Sequence, residues 1–256
     1  MTHPRGAFVV LSFTLLASRA LSQNLLVNGS FEAPSAGSTF VTRSGDFGPA
    51  GGWSINGAID HIGGFWAAAG GTQSVDLNGA TAGSVSQTFP TTPGKFLLLQ
   101  FALSENFFGY DNKTMDVLWN GTVIDHVTVI HDPERTPTNV KWIYRSRRIL
   151  ASSPSSTLTF LSTTGAMNGV QGVATYYGPA IDDVSVVLSD TCAGDLNGDQ
   201  QVDDSDFVLF VNAYNILDCA DPTMTLGCPA DLNLDGVVDD ADFTIFVIAY
   251  NALLCP

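Results

Sequence analysis

The sequence predicts a mainly β protein with a small all-α unit at its C-terminal end. Short segments that alternate apolar and polar residues recur before residue 188, and Asn-Gly pairs separate several of them. A repeated acidic motif followed by apolar runs occupies the remaining residues. Alternation with a period of two is typical of half-buried strands, and Asn-Gly is typical of tight turns between them.

Residues 1–22 have the composition of a secretory signal peptide. A basic residue precedes an apolar run over residues 7–17, which is too short to cross a bilayer. Ala20 and Ser22 provide small residues before a cleavage point, so we expect the mature chain to begin at Gln23. An uncleaved anchor is the alternative. No later stretch is long and apolar enough for a membrane helix, so we expect a secreted protein without a membrane span after cleavage.

Residues 23–188 are predicted to form a β domain with about ten short strands. Alternating patterns are clearest at residues 85–89, 115–119 and 157–160. Sharp reversals are expected at the Asn-Gly pairs that begin at positions 28, 56, 78, 120 and 168. Many short strands without an amphipathic helix favour a β-sandwich.

The charge of the chain is concentrated in its C-terminal unit. The formal net charge is −15, and residues 190–256 contain thirteen Asp but no Glu, Lys, Arg or His. The rest of the chain is therefore close to neutral. Because no basic face is present to neutralise phosphates, this charge balance argues against nucleic acid or an anionic membrane as a partner and favours cations.

An internal repeat defines this acidic unit. Residues 195–207 return thirty-six positions later as residues 231–243, and the cysteines follow the same offset. In a secreted protein the four cysteines favour two disulfides, with zinc as a weaker alternative. Antiparallel helices would pair Cys192 with Cys255 and Cys219 with Cys228, whereas pairing within each repeat is the alternative.

Both repeats have the spacing of a twelve-residue calcium loop, whose oxygens come from positions 1, 3, 5, 7, 9 and 12. The first repeat offers Asp195, Asn197, Asp199, the carbonyl of Gln201, Asp203 and Asp206. The second offers Asp231, Asn233, Asp235, the carbonyl of Val237, Asp239 and Asp242. Carboxylates crowded in this way repel one another without a cation, so we expect two Ca²⁺ sites. The apolar runs at residues 207–214 and 243–250 are predicted to be the helices that leave the loops.

The repeat pair resembles the type I dockerin family, because no helix precedes either loop. The resemblance covers residues 192–256 and implies calcium-dependent docking onto a cohesin-like protein. Position 6 of the first loop is Gln200 where glycine is usual, so weaker calcium binding is expected there. Loop positions 10 and 11, which often contribute to cohesin recognition in that family, lack the hydroxyl-rich pairs of well-known dockerins. The alternative is that calcium in these loops only stabilises the small domain, which then has no docking partner.

The β domain resembles the bacterial choice-of-anchor C family and the related plant cell-wall proteins with domain of unknown function 642. Short motifs at residues 24–32, 73–79 and 178–186 carry the resemblance. It implies a galactose-binding-like jelly roll at a cell surface or wall, joined by a short linker at residues 189–191 to the dockerin-like unit at residues 192–256. It also implies a structural calcium site, with candidate ligands Glu32, Asp182 and Asp183; plain surface carboxylates are the alternative.

Loop aromatics are the candidate sugar-binding residues of this domain, since sugar rings stack on aromatic faces. They are Trp66, Phe108, Tyr110 and Tyr177, for which packing within the fold is the alternative. No nucleophile elbow, zinc-protease motif or phosphate loop is present.

We therefore expect a non-catalytic carbohydrate-binding or cell-surface protein that takes a glycan and a cohesin-like or envelope protein as partners. A structural surface protein without a glycan ligand is one alternative. A component of a polysaccharide-degrading system is another, and glycoside hydrolysis is not excluded because two carboxylates suffice for it.

Overall fold

The computed structural model describes residues 23–48, 50–165, 176–189, 192–197, 201–225 and 228–252. The predicted signal peptide, Asp199 and Cys255 lie outside the described residues. The strands are β1 (Phe40–Asp46), β2 (Ser54–Ile62), β3 (Ser74–Asp76), β4 (Ser84–Pro90), β5 (Phe96–Glu105), β6 (Lys113–Trp119), β7 (Thr122–Val129), β8 (Ile143–Leu150), β9 (Ser155–Ser162) and β10 (Pro179–Leu188). The helices are α1 (Asp204–Tyr214) and α2 (Asp240–Ala252).

The strands form one antiparallel sheet that curls into a sandwich. Nine of them follow the order β7-β6-β9-β4-β2-β3-β10-β5-β8, and β1 pairs with β2 beside this path. Phe101 of β5 and Phe160 of β9 lie far apart in this order, yet their ring centroids are 5.0 Å apart. The two ends of the sheet therefore face each other across a common core. The predicted mainly β sandwich with two C-terminal helices is confirmed.

Alternation along the strands builds this core. In β6 and β9 every second side chain is buried, which places one face of each strand inside. Trp53 lies at the centre, 5.3 Å from the ring of Phe31 and 6.4 Å from that of Phe160. Burying each such side chain stabilises the fold by about 1.5–3 kcal/mol.

Two of the Asn-Gly pairs behave differently, and the pair at residues 168–169 lies outside the described residues. Asn120 and Gly121 both have positive φ and form the hairpin turn between β6 and β7, as predicted. The prediction of a reversal at Asn56-Gly57 is wrong, because this pair lies inside β2. The register between β1 and β2 shifts beside it, so the positive φ of Gly57 accommodates an irregularity within a paired strand.

The two helices pack against each other through aromatic side chains. The rings of Phe210 and Phe246 stack with centroids 5.1 Å apart. Helix α1 begins at Asp204, three residues before the predicted apolar run, because Asp203 is its N-cap and forms a capping box with Asp206. No helix in the described part of the chain is long and apolar enough to cross a membrane.

Strand β8 contacts the second repeat directly. The backbone N–H of Arg148 donates to the carbonyl of Asn233 at 2.9 Å, and its guanidinium donates to that of Leu232 at 2.9 Å. The guanidinium of Arg147 donates to the carbonyl of Leu234. The sandwich and the helical unit therefore meet at the start of the second loop.

Candidate functional site

The second acidic loop is wound around one buried carboxylate. Oδ1 of Asp242 accepts the N–H groups of Leu232 at 2.7 Å and Asn233 at 2.9 Å. Its Oδ2 accepts the N–H of Asp239 at 2.9 Å. Asp242 is fully buried in the first turn of α2. It therefore ties both ends of the loop to the helix.

The first loop has the same winding. Oδ1 of Asp206 accepts the N–H groups of Leu196 at 2.7 Å and Asn197 at 3.1 Å, and its Oδ2 accepts that of Asp203 at 3.0 Å. Each bond has its counterpart thirty-six residues later. The repeat seen in the sequence is therefore also a repeat of local structure.

The donor set of the second loop fits a calcium ion. Burial raises the pKa of Asp231 and raises that of Asp242 to about 6, so these two carboxylates are costly to keep charged without a cation. Carboxylate, amide and carbonyl oxygens are the ligands that Ca²⁺ prefers. The residues that would hold it are Asp231, Asn233, Asp235, Val237 through its carbonyl, Asp239 and Asp242.

The cysteines form disulfides. Cys219 and Cys228 are bonded, with Cα atoms 5.5 Å apart, and this pair joins the two repeats. Pairing within each repeat is therefore not adopted. Cys192 is also disulfide-bonded, whereas Cys255 lies outside the described residues. Although Cys219, Cys228 and Asp231 lie close together, both sulfurs are consumed, so the zinc alternative fails there.

Each of the two helices donates a tyrosine hydroxyl hydrogen bond to an aspartate in the first turn of the other helix. The hydroxyl of Tyr214 donates to Asp240 at 2.6 Å, and that of Tyr250 donates to Asp204 at 2.5 Å. Asp204 and Asp240 occupy loop position 10, so these carboxylates are engaged within the module. Beside them lies an apolar cavity of about 290 Å³, lined by Asp204, Phe207, Phe243, Phe246, Val247 and Tyr250.

A second cavity lies in the sandwich and has a volume of about 400 Å³. We call it the aromatic cavity; its lining residues are Phe40, Thr42, Asp60, Ile62, Phe65, Ala80, Asn106, Phe108, Tyr176 and Tyr177. Strands β1 and β2 supply one wall, and the loops around residues 65, 108 and 177 supply the others. The candidates Phe108 and Tyr177 are thus brought together.

Buried polar groups adjoin this cavity. Asp76, opposite Asp60 across β2 and β3, accepts Nδ2 of Asn106 at 2.7 Å and the N–H groups of Asn78 and Gly178 at 2.8 and 3.0 Å. Complete burial raises the pKa of Asp76 to about 8, because desolvation favours the neutral form of this carboxyl. The side-chain amide of Asn78 is buried with no partner for Oδ1 or Nδ2 among the described residues.

Two of the four predicted sugar-binding aromatics do not line the cavity. Trp66 is only 3% exposed, and its Nε1 donates to the hydroxyl of Ser74 at 2.9 Å. A buried indole cannot stack on a sugar, so the prediction for Trp66 is wrong. Tyr110 is 80% exposed and lies against His131, away from the cavity lining.

The three carboxylates predicted to bind a structural calcium flank one loop instead. Asp182 accepts the N–H groups of Ala69 and Gly70, and Glu32 accepts those of Thr72 and Gln73, all at 2.8–2.9 Å. A third bond joins Asp183 to the hydroxyl of Tyr144.

Among the described residues neither these three carboxylates nor those of the second calcium loop form a group of ligand atoms within 4.8 Å of one another, so this spacing does not distinguish the two sets. Backbone N–H groups are the donors to both the exposed Glu32 and the fully buried Asp182. The third calcium site, which the resemblance implies, therefore stays a prediction.

Sequence reasoning missed Asp60, Asn106 and one of the cavity aromatics, Phe40; the lining residues Phe65 and Tyr176 belong to the loop pairs Phe65-Trp66 and Tyr176-Tyr177, which the sequence offers as candidates. The available signal was the acidic residue in the apolar segment of residues 59–62, since a charge inside a buried strand needs a reason.

Comparison with known proteins assigns the sandwich. The family described as protein of unknown function (DUF642) matches residues 24–187, which is more than half of the chain. The chain belongs to the DUF642 family. The type I dockerin domain matches residues 193–250 of this DUF642 protein, and this match identifies the acidic module as a calcium-binding type. Both resemblances are thereby confirmed, whereas the one to the choice-of-anchor C family stays a prediction.

One curated relative is Halomucin of Haloquadratum walsbyi, which is 27% identical over 176 residues. The match covers 66% of this chain but spans about 2% of the length of Halomucin.

Two solved structures resemble the sandwich. A family 35 carbohydrate binding module from Clostridium thermocellum has 12% identity and a TM-score of 0.39, over 58% of this chain and 97% of the module. TmCBM61, solved with β-1,4-galactotriose, has 17% identity and a TM-score of 0.40, over 66% of this chain and all of that one.

Proposed function

We propose that this DUF642 protein is a secreted, non-catalytic glycan-binding protein held in place by its calcium-dependent dockerin module. The observation that carries the proposal is the aromatic cavity, in a sandwich joined to a calcium-binding module. The setting we favour is a polysaccharide-degrading system or a cell surface, where a binding module and a docking module act together.

The aromatic cavity has the chemistry of a sugar site. Its volume of about 400 Å³ lies within the usual range of small-ligand pockets. Phe108 is 44% exposed and its ring lies 5.4 Å from that of Phe65, so an aromatic surface faces solvent at the cavity mouth. Sugar rings pack on such faces, and the carboxylate of Asp60 and the amide of Asn106 supply polar groups for hydroxyls.

The same cavity argues against hydrolysis. Glycoside hydrolases place two carboxyl groups on either side of the bond they cleave, about 5–10 Å apart. Asp60 is the one carboxylate among the described lining residues. Asp76, the neighbouring acid, has no exposed surface, and both of its oxygens are bonded within the fold. One accessible carboxylate binds a sugar but does not supply the acid and base pair.

The dockerin module is proposed to bind two Ca²⁺ ions and to dock a cohesin-like protein. Both helices have exposed apolar side chains, namely Phe207, Val208, Phe243, Val247 and Ile248. Because Asp204 and Asp240 are bonded to tyrosines, recognition at this face depends on apolar contact. Such a surface on a secreted protein is expected to be covered by a partner.

The test uses the full chain in calcium against a panel of polysaccharides, with affinities measured by isothermal titration calorimetry. The substitutions Phe108→Ala and Tyr177→Ala are expected to weaken binding about 10-fold or more, because each removes an aromatic wall of the cavity. Tyr110→Ala is the matched control, since this tyrosine is exposed but outside the cavity. If no polysaccharide binds, or if all three variants weaken binding equally, the glycan proposal is wrong.

Docking is tested separately with immobilised cohesin domains. Binding is expected in calcium and is lost in EDTA, because the loops that position the helices need the cation. Replacing Phe243 by serine is expected to weaken binding without preventing calcium uptake. Cohesin binding that is unaffected both by EDTA and by the Phe243 substitution contradicts the docking proposal.

A further inference from the structure

The aromatic cavity carries a negative charge at one point. Of the described residues that line it, Asp60 is the charged one, and none is Lys, Arg or His. The hydroxyl of Thr42 donates to its Oδ1 at 2.6 Å. Within the described part of the chain no donor reaches the second oxygen, Oδ2. A desolvated carboxylate with one partner is therefore left facing the cavity.

The groups behind Asp60 leave its charge uncompensated. Asp76 lies opposite and is fully buried, and the donors that reach it, Nδ2 of Asn106 and the N–H groups of Asn78 and Gly178, carry no charge that could neutralise Asp60. Lys113 is buried beneath Gly109 and Tyr177, where its ammonium donates to the carbonyl of Asp111. The acids that attract this ammonium most are Glu105 and Asp111, which lie outside the cavity lining.

The aromatic walls add to this preference. The rings of Phe40 and Phe65 meet edge to face at 5.5 Å, and those of Tyr176 and Tyr177 do so at 6.5 Å. Ring faces carry partial negative charge and attract cations within about 6 Å, most strongly when water is excluded. Several aromatic rings around one carboxylate form the kind of enclosure that suits an ammonium group.

We propose that the aromatic cavity selects a sugar residue with a free ammonium group, such as a non-acetylated hexosamine, and that Asp60 is the residue that determines this selectivity. The inference rests on the proposed glycan function and adds the charge of the ligand. The ammonium would bind the open oxygen of Asp60 while the sugar ring packs on Phe108. Uronates would be repelled by the same carboxylate, and N-acetylated sugars would lose the ion pair.

The experiment compares three oligosaccharides of equal length with the full chain in calcium: glucosamine oligomers, N-acetylglucosamine oligomers and oligogalacturonate. Calorimetry is done at a pH where the amine is protonated. The unacetylated oligomer is expected to bind about 10-fold or more tightly than the acetylated one, as a charged hydrogen bond predicts. Oligogalacturonate is expected to bind more weakly than both.

Asp60→Asn is the decisive variant, because asparagine keeps the shape and can still accept the Thr42 hydroxyl. It is expected to bring the affinity for glucosamine oligomers down to that for N-acetylglucosamine oligomers, so that the roughly 10-fold preference for the amine is lost. Glu134→Gln, which removes an exposed carboxylate outside the cavity, is the charge control. Thermal unfolding checks that both variants are folded, and Phe108→Ala serves as a second cavity variant.

The outcomes separate the two proposals. Equal affinities for amine and acetyl oligomers, or a preference that survives Asp60→Asn, overturn the charge inference while the glycan site stands if Phe108→Ala still weakens binding. Failure of every polysaccharide to bind overturns the glycan function and this inference with it.

Discussion

Replacing Asp242 by asparagine tests whether one buried carboxylate holds the second calcium loop together. In the wild type its Oδ1 accepts two backbone N–H groups, from Leu232 and Asn233, and its Oδ2 accepts that of Asp239. The amide oxygen of asparagine keeps the first two bonds. Its NH₂ group then faces the N–H of Asp239, donor against donor, so that one buried donor loses its acceptor.

The loss of unfolding free energy expected from Asp242→Asn differs with and without calcium. In EDTA the unpaired donor costs about 1–3 kcal/mol of unfolding free energy, and part of this loss is offset because the variant no longer buries a carboxylate whose pKa is raised to about 6. In calcium the variant also loses a negatively charged ligand. If the dissociation constant rises 100-fold and free calcium is in excess, stability falls by about a further 2.7 kcal/mol. The loss of stability expected in calcium is therefore about 2.7 kcal/mol larger than the loss in EDTA.

The chain offers separate probes for its two parts. All four tryptophans lie between residues 53 and 142, so tryptophan emission reports the sandwich, whereas far-UV circular dichroism in the helical band reports α1 and α2. Urea unfolding of the full chain is followed by both, with disulfides intact, in Ca²⁺ and in EDTA. Asp240→Asn, an exposed substitution two residues away, is expected to change stability by less than about 1 kcal/mol.

Equal destabilisation by Asp242→Asn in calcium and in EDTA would falsify the ligand role. A shift confined to the tryptophan transition would contradict the assignment of its effect to the module.

Three other changes probe the sandwich and its contact with the module. Phe160→Ala, which empties the space beside Phe101 and Trp53, is expected to cost about 3–5 kcal/mol in urea unfolding followed by tryptophan emission; a loss below about 1 kcal/mol contradicts the core assignment. Asp76 has a folded pKa raised to about 8, so its contribution to stability declines as pH rises from about 4 to about 8. Within that window the unfolding free energy of Asp76→Asn should therefore rise relative to that of the wild type by up to about 1.4 kcal/mol per pH unit, with no further rise above it. A difference between the two unfolding free energies that does not change with pH refutes the burial argument. Arg148→Met removes the bond to the Leu232 carbonyl and should destabilise the helices by about 1–3 kcal/mol in EDTA, seen by circular dichroism. An unchanged midpoint would show that this contact between sandwich and module is dispensable.

The calcium loops were predictable from the sequence because their chemistry is local. Ligand positions recur at fixed spacing within twelve residues, and the helices follow from the cap at Asp203 and the apolar runs. The strands at residues 85–89, 115–119 and 157–160 were predictable for a similar reason, since alternation places one face of each inside. Asn56-Gly57 shows the limit. The same dipeptide that turns the chain at residue 120 lies inside β2, where Asn56 pairs with Ser84 of β4 and β1 pairs with β2 on both sides of the dipeptide.

The cavity depended on contacts between residues far apart in the chain. Asp60, Phe108 and Tyr177 come from three segments that meet only when the sheet curls, and no local pattern marks their proximity. The same closure buries Trp66, which has the sequence surroundings of an exposed loop residue. Sequence by itself determined the loops, the helices and the strand content, because these follow from spacing and period. Only the tertiary structure decided which aromatics face a ligand and which acid keeps its charge, because burial and desolvation are set by the neighbours that the fold brings together.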